Sequence, residues 1–271
     1  MSFQVSPGVR VREIDLTNVV PAVSSSIGAF AGAFSWGPVE EVKQVTSEKN
    51  LAETFGVPSL SNNTSYFTAA GFLQYGNNLQ TVRCETAALK NAIADGTGTA
   101  VLIKGQESYD AAYSAGQASV GPWAAKYPGT LGNSLKVEIC APGHYATYAN
   151  AANFDSAPGT SQYAESQGVT AALDELHILV IDEGGAWTGT AGSVLEKFAF
   201  VSQAADAKLS NGESNFYKDV VNNRSEYVWW MDHDSVLTDA GTNLSSSASG
   251  FAFTGSSTVI TDSLTLGVDD N

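Results

Sequence analysis

Asp232-His233-Asp234-Ser235 is the stretch of this chain whose residue types come closest to a catalytic or metal-binding set. On an extended backbone successive side chains point to opposite faces, so Asp232 and Asp234 would share a side that His233 does not. His144 and His177 are remote in sequence, and neither stands at ligand spacing from His233. Chain order alone is compatible with a Ser-His-Asp triad. No Gly-x-Ser-x-Gly elbow is present to present a serine nucleophile. The expectation is a solvated turn after a strand, with a hydrolase built on His233 as the enzymatic alternative.

The other chemistry-bearing residues are weaker still. Asp262 and Asp269-Asp270-Asn271 lack the complete Asp-x-Asp-x-Asp-Gly loop and its closing Glu. Asp95-Gly96-Thr97-Gly98-Thr99 has the wrong order for an aspartic-protease motif and no second copy, so it reads as linker. Gly184-Gly185 precedes no helix carrying Lys-Ser or Lys-Thr, which excludes a phosphate loop. Trp229 and Trp230 sit inside an apolar run and are expected in the core rather than as a sugar platform. Cys84 and Cys140 have no Cys-x-x-Cys spacing and are expected as two buried free thiols, as suits a reducing cytoplasm. No catalytic residue, no metal site and no cofactor is expected.

The bulk composition narrows the function classes. The chain has 271 residues, 43% of them hydrophobic and only 15% charged, which is a globular composition with a neutral Ser/Thr/Asn/Gly-rich surface. Its net charge of −15 repels phosphate, so direct nucleic-acid binding is not expected. No basic-then-apolar leader stands at the N-terminus, and no apolar run reaches the roughly 18 residues a membrane span needs.

The elements that would position these residues form a mixed α/β (α+β) fold: a sheet-rich core, a few helices, an extended N-terminal arm and a small β-rich surface excursion. Residues 1–20 read as the arm, in which Val9-Arg10-Val11-Arg12-Glu13-Ile14 alternates with both faces usable. It is either an edge strand of its own domain or a strand donated to a neighbour's sheet. Residues 21–85 read as the first part of the core: a tightly packed strand at Ile27–Phe34, a second at Val39–Val45, and a helix capped by Thr46 or Ser47 and stopped at Gly56. A buried helix near 65–76, capped by Asn63 or Thr64, and a strand at Leu79–Cys84 complete it. Residues 86–121 read as a linker or short excursion, with Val101-Leu102-Ile103 its one clear strand. Residues 122–263 read as the remainder of the core. Within them a turn is expected at Trp123–Gly129, strands at Leu135–Ile139, Leu176–Ile181, Val194–Val201 and Glu226–Trp230, and a short helix at Asn215–Asn222. Residues 141–172 are expected as a long surface loop, and residues 264–271 as the start of something new.

Several words of the sequence, in order, resemble the contractile tail sheath proteins of T-even-like bacteriophages. Ser6-Pro7-Gly8-Val9 stands near the terminus, and Gly32-Ala33-Phe34 leads into Trp36-Gly37-Pro38. Lys43-Gln44-Val45-Thr46 leads into Thr54-Phe55-Gly56, and Tyr66-Phe67 into Phe72-Leu73-Gln74-Tyr75-Gly76-Asn77 and Val82-Arg83. Lys126-Tyr127-Pro128-Gly129-Thr130-Leu131-Gly132-Asn133 then precedes Leu135–Ile139. Ser225-Glu226-Tyr227-Val228 and Leu264-Thr265-Leu266-Gly267 are weaker echoes.

The resemblance implies a virion protein without enzymatic activity, a subunit of a helical sheath of stacked hexameric rings, made in the host bacterial cytoplasm. It implies contacts with the inner tail tube, baseplate and tail terminator proteins, and neither direct nucleic-acid binding nor membrane insertion. Contraction would drive the tube through the host envelope for genome delivery. Val9 to Ile14 would be the subunit-interaction arm, with Pro7, Gly8, Val20 and Pro21 as hinges. The short stretch between Arg83 and Trp123 implies a slimmer subunit than relatives with an inserted domain there. Relatives also run on beyond Leu266-Gly267, so the chain is expected to be a fragment. The alternatives are a sheath subunit of a non-viral contractile injection system and a Ser/Thr/Gly-rich β adhesin.

Overall fold

The computed structural model describes residues 27–96, 98–246, 250–254 and 258–269. The first five elements follow from local chemistry. Strand β1 (Gly28–Gly32) and β2 (Val42–Val45) precede helices α1 (Glu48–Phe55) and α2 (Asn63–Leu73), and β3 (Leu79–Arg83) closes the unit. β3 lies in the centre of a three-stranded sheet, parallel to β1 and antiparallel to β2. Helix α1 starts where the Ser47 side chain accepts a hydrogen bond from the Asn50 N–H at 3.2 Å. It stops at Gly56, whose φ of +80° favours glycine. Helix α2 begins earlier than its Asn63 or Thr64 cap predicts, after Asn62. The Asn62 side chain holds the preceding turn instead, accepting from the Ser59 N–H at 2.6 Å and donating to Ser35 Oγ at 2.5 Å. Both helices pack on one face of the sheet over Phe34, Val45, Leu51, Phe55, Tyr66 and Leu79. The approach is close: a Cβ on Gly28 would lie 2.6 Å from the Phe72 ring.

The larger body is a four-stranded antiparallel sheet in the order β7-β6-β5-β9, formed by β5 (Leu135–Cys140), β6 (Glu175–Asp182), β7 (Ser193–Ser202) and β9 (Ile260–Ser263). A two-stranded ribbon of β4 (Trp123–Ala125) and β8 (Val228–Trp230) packs beside it. Helices α3 (Gln106–Ala112), α4 (Gln162–Ser166) and α5 (Tyr217–Arg224) complete the elements. The mixed α/β class expected from the sequence is observed. No described helix is long and apolar enough to cross a membrane.

Several local expectations are corrected. Trp123 does not open a turn but a strand, because its partner is the remote Trp230. Val101-Leu102-Ile103 forms no strand. The Asn91 side chain satisfies Ile103 instead, accepting from its N–H at 2.7 Å and donating to its carbonyl at 3.3 Å, and it also donates to Ala125 O in β4 at 2.9 Å. Residues 86–121 supply buried Ile93, Val101, Ile103, Tyr109 and Val120 to one cluster with Trp229 and Met231. Residues 141–172 are not a surface loop. They bury Tyr148, Phe154, Ala164, Val169 and Ala172, and contain α4, capped by Ser161. Strand β9 was not expected in its Ser/Thr-rich surroundings; among the described strands it is an outer one, paired with β5. Cys140 is buried as expected, whereas Cys84 is exposed just beyond the end of β3.

Residues Leu264 to Asp269 fold back on this body. Leu264 is fully buried, Thr265 pairs with Ile93 and Val268 with Lys90, and the Asp269 carboxylate accepts from Thr130 N–H at 2.7 Å.

Candidate functional site

The Asp-His-Asp stretch is not the solvated turn expected from sequence. His233 is half-buried, with its ring 5.0 Å from that of Trp230. Tyr217, the first residue of α5, places its hydroxyl 2.5 Å from His233 Nδ1, and Trp230 Nε1 donates to the same hydroxyl at 3.3 Å. That pattern makes Tyr217 the donor to Nδ1 and leaves the imidazole proton on Nε2. Burial pushes the Tyr217 pKa up and the His233 pKa down, so both are neutral near pH 7. The flanking carboxylates turn to the backbone: Asp232 accepts from His233 N–H and Asp234 from Val236 N–H, each at 2.8 Å. The cluster is a packed polar network in which the imidazole nitrogen that could act as base is occupied by a phenol. Among the described residues no group of three or more His, Cys, Asp and Glu is arranged to hold a metal ion.

Lys126 is the other unusual titratable group. Its ammonium lies 3.5 Å from the Trp229 ring centre and donates to Ser225 O at 2.8 Å and Asn222 O at 3.4 Å, at the C-terminal end of α5. Burial lowers its pKa to about 8, and the nearby carboxylates of Glu196, Glu226 and Asp110 oppose that shift. The arrangement ties the end of a helix to the β4–β8 ribbon. Trp229 itself is fully buried and stacks on Tyr109 at 4.2 Å, so both tryptophans belong to the core as expected.

The first unit joins the body through Arg83 and a chain of aromatic rings. Arg83 is fully buried at the end of β3, and its Nη1 donates to Pro128 O at 2.8 Å and Gly37 O at 3.2 Å. Trp36 stands edge-on to Tyr127 at 5.4 Å and to Trp187 at 4.7 Å, and Trp187 to Tyr227 at 5.0 Å. These rings, with Lys43 and Arg224 at the rim, line a cleft of about 680 Å³. Sequence reasoning named Trp36 in the family resemblance and missed Trp187, which is carried in by the β6–β7 hairpin.

The arrangement best suited to a partner is the three-stranded sheet. β1 and β2 are its two outer strands, and no described strand pairs with their outer edges. Each edge therefore presents a row of ladder groups that an extended segment can engage.

Residues 26–84, essentially this unit, match the family model described as the Tail sheath protein Gp18 domain III N-terminal region. The tail sheath protein of Salmonella phage ViI is 32% identical over 195 residues, which is 71% of this chain and 28% of that protein. The chain resembles phage tail sheath proteins. The tail sheath protein of Enterobacteria phage T4 is 40% identical over 93 residues, 33% of this chain and 14% of that protein. That of Vibrio phage KVP40 is 39% identical over 89 residues, 32% of this chain and 13% of that protein. The chain thus spans less than a third of the length of each of these relatives. The sheath tail protein Lin1278 from Listeria innocua gives a TM-score of 0.40 at 12% identity, over 90% of this chain and 34% of that one, too distant to carry an argument.

The residues expected to form the interaction arm, Val9, Arg10, Val11, Arg12, Glu13 and Ile14, lie outside the described residues, as do the hinge positions Pro7, Gly8, Val20 and Pro21.

Proposed function

We propose that this chain is part of a structural subunit of a contractile phage tail sheath, one that polymerises as a helical tube around an inner tail tube and contracts to drive it through the host envelope. The single observation that supports this most is the 32% identity to a phage tail sheath protein sustained over 195 residues, well beyond the 26–84 unit. The net charge of −15 suits a protein that must stay soluble before assembly. In this reading the division into arm 1–20, core parts 21–85 and 122–263, intervening 86–121 and a further domain begun at 264–271 is that of a sheath subunit. Its partners are copies of itself, the inner tube, the baseplate and the tail terminator.

In the same reading, Val9 to Ile14 adds a strand to an outer edge of the three-stranded sheet of a neighbouring copy. Pro7-Gly8 and Val20-Pro21 act as bends on either side. Main-chain bonds would hold the mesh while the polar faces slide, and Arg10 and Arg12 would pair with an acidic neighbour. Contraction would draw on the difference in interface energy between two lattices rather than on nucleotide hydrolysis.

The test is negative-stain electron microscopy of the protein carrying this chain at its natural length, with and without residues 1–20. Striated hollow tubes from the intact protein, absent after the deletion while the circular dichroism spectrum is unchanged, are expected. Tubes that persist without residues 1–20 would refute strand donation. Dispersed particles from both, together with glycan binding, would favour an adhesin.

A further inference from the structure

Strand β9 turns Ile260 toward the main core, and Leu264, just past its end, is fully buried in the same core. Between them, on the same side, stands a carboxylic acid. Asp262 pairs with Val137 and Ile260 with Ile139, and both partners in β5 are buried in that core. The period of two therefore turns Asp262 inward as well. Its Oδ2 is buried and makes no hydrogen bond with any described residue. The fully buried Trp123 indole of β4 approaches the carboxyl and eases its charge, yet Trp123 Nε1 also has no hydrogen-bond partner there.

The groups around this carboxyl give it no counter-charge. Asp234, after β8, is a second carboxylate that acts on it, and no cation does. Asp232 and His233 belong to the same stretch, and the Tyr217 phenol at the start of α5 is tied to His233. On β5, Lys136 and Glu138 stand opposite Ser263 and Thr261, on the other side of the sheet, and pair with each other at 2.9 Å. Burial, and after it the Asp234 charge, push the Asp262 pKa up to about 6. A neutral carboxyl is buried here at modest cost, whereas an unpaired carboxylate is penalised far more strongly.

The segment that carries Asp262 has few apolar anchors. From Ile260 to Asp269, Ile260, Leu264 and Gly267 are the buried residues. The rest of its hold is polar. Thr265 exchanges two backbone bonds with Ile93, at 2.8 and 2.9 Å, and Val268 two with Lys90, at 3.1 and 3.2 Å. Gly267 donates to Asn133 Oδ1 at 2.7 Å and accepts from its Nδ2 at 3.0 Å.

We propose that Ile260 to Asp269 is a proton-controlled strap: protonated Asp262 lets it seat on β5 and on residues 90–93, and ionised Asp262 loosens it, so that it opens ahead of the rest of the body. Opening carries the carboxyl into water and uncovers the outer edge of β5. The sign follows from the two surroundings. In the open strap the carboxyl titrates near its ordinary 3.8, and in the seated strap near 6. The open form therefore gains as pH rises from 3.8 to about 6, and gains no more above that. The strap belongs to the four-stranded body and does not depend on assembly as a sheath.

The test is hydrogen exchange in dilute protein of natural length, at about pH 5 and about pH 7.5, with rates corrected for the intrinsic pH dependence of exchange. The amides of Leu264, Thr265 and Val268 report the strap, and those of β6 report the body. Between the two pH values the opening constant of the strap should rise about tenfold more in the parent than in Asp262→Asn, since the histidines titrate in both. The β6 amides should not show that difference. An equal pH response in parent and variant would overturn the proposal. A difference shared by β6 would overturn it too, because the whole body would then be opening. Should Asp262→Asn fail to fold, the parent decides alone by carbon-detected NMR titration of the Asp262 carboxyl: a midpoint near 6 supports the strap, and one near 3.8 overturns it.

Discussion

The central strands of the two main sheets are buried in different ways. In β6 every residue from Leu176 to Asp182 is buried, whereas in β3 buried Leu79, Thr81 and Arg83 alternate with partly exposed Gln80 and Val82. Both faces of β6 are covered. Leu176, Ile178 and Val180 face the main core with Val137 and Val221, and Leu179 and Ile181 face Tyr148 and Phe154 from residues 141–172. β3 has helices on one face only. A continuous apolar run signals covering on both sides, and alternation signals it on one. The four-stranded body thus covers both faces of its inner strand β6 with its own residues, while among the described residues the unit that resembles the sheath domain covers β3 on one face.

That contrast makes graded predictions. The largest effect should come from the interior of the body. Trp229→Ala removes a fully buried ring stacked on Tyr109 and the Nε1 bond to Lys126 O. It should cost about 3–5 kcal/mol in urea unfolding; a loss below that range would mean the cluster relaxes around the gap. Lys126→Met keeps the stem but frees the carbonyls of Asn222 and Ser225, and should cost about 1–3 kcal/mol. A gain in stability would show that desolvating the ammonium outweighs its bonds.

The histidines give a pH dependence of definite sign. His177 is fully buried in β6, where a bulge opposite Phe200 breaks the ladder. Its Nδ1 accepts the Phe200 N–H at 3.2 Å, and its Nε2 lies 2.8 Å from Ser156 O. Burial pushes its pKa down, as it does for His233. The neutral form is the folded one, so stability is full above the unfolded value of about 6.5 and falls as pH drops through it. Asp262 works in the opposite sense: burial raises its pKa to about 6, so its contribution is lost as pH rises from 3.8 to that value. Tm between about pH 8 and 5 should therefore fall more steeply in the parent than in a His177→Gln, His233→Gln double variant. Parallel curves would remove the histidines from the acid response.

The smallest effect should be on the other face of β3. Val82→Ser, at a partly exposed position of β3, should shift stability by less than about 0.5 kcal/mol. A larger loss there would mean that the face is already packed against something else, and the contrast between the two sheets would narrow.

The sequence by itself determined the mixed class, the caps of α1, most strands of the two sheets, and the resemblance carried by residues 26–84. These are local: Ser47 binds Asn50 N–H three residues away, Gly56 has the backbone freedom to end a helix, and strand periodicity is read within a few residues. Tertiary structure decided what depends on remote partners. Trp123 is a strand residue because Trp230 pairs with it, and Val101 to Ile103 is held by the Asn91 amide instead of a ladder. Residues 141–172 bury Tyr148 and Phe154 because β6 needs a second cover, which their polar, Tyr- and Ala-rich composition hides. His233 is packed rather than solvated because the Tyr217 hydroxyl reaches its Nδ1 from 16 residues away in sequence. Burial and pairing are sums over neighbours that a linear pattern does not name, which is why periodicity found the strands but not what each one faces.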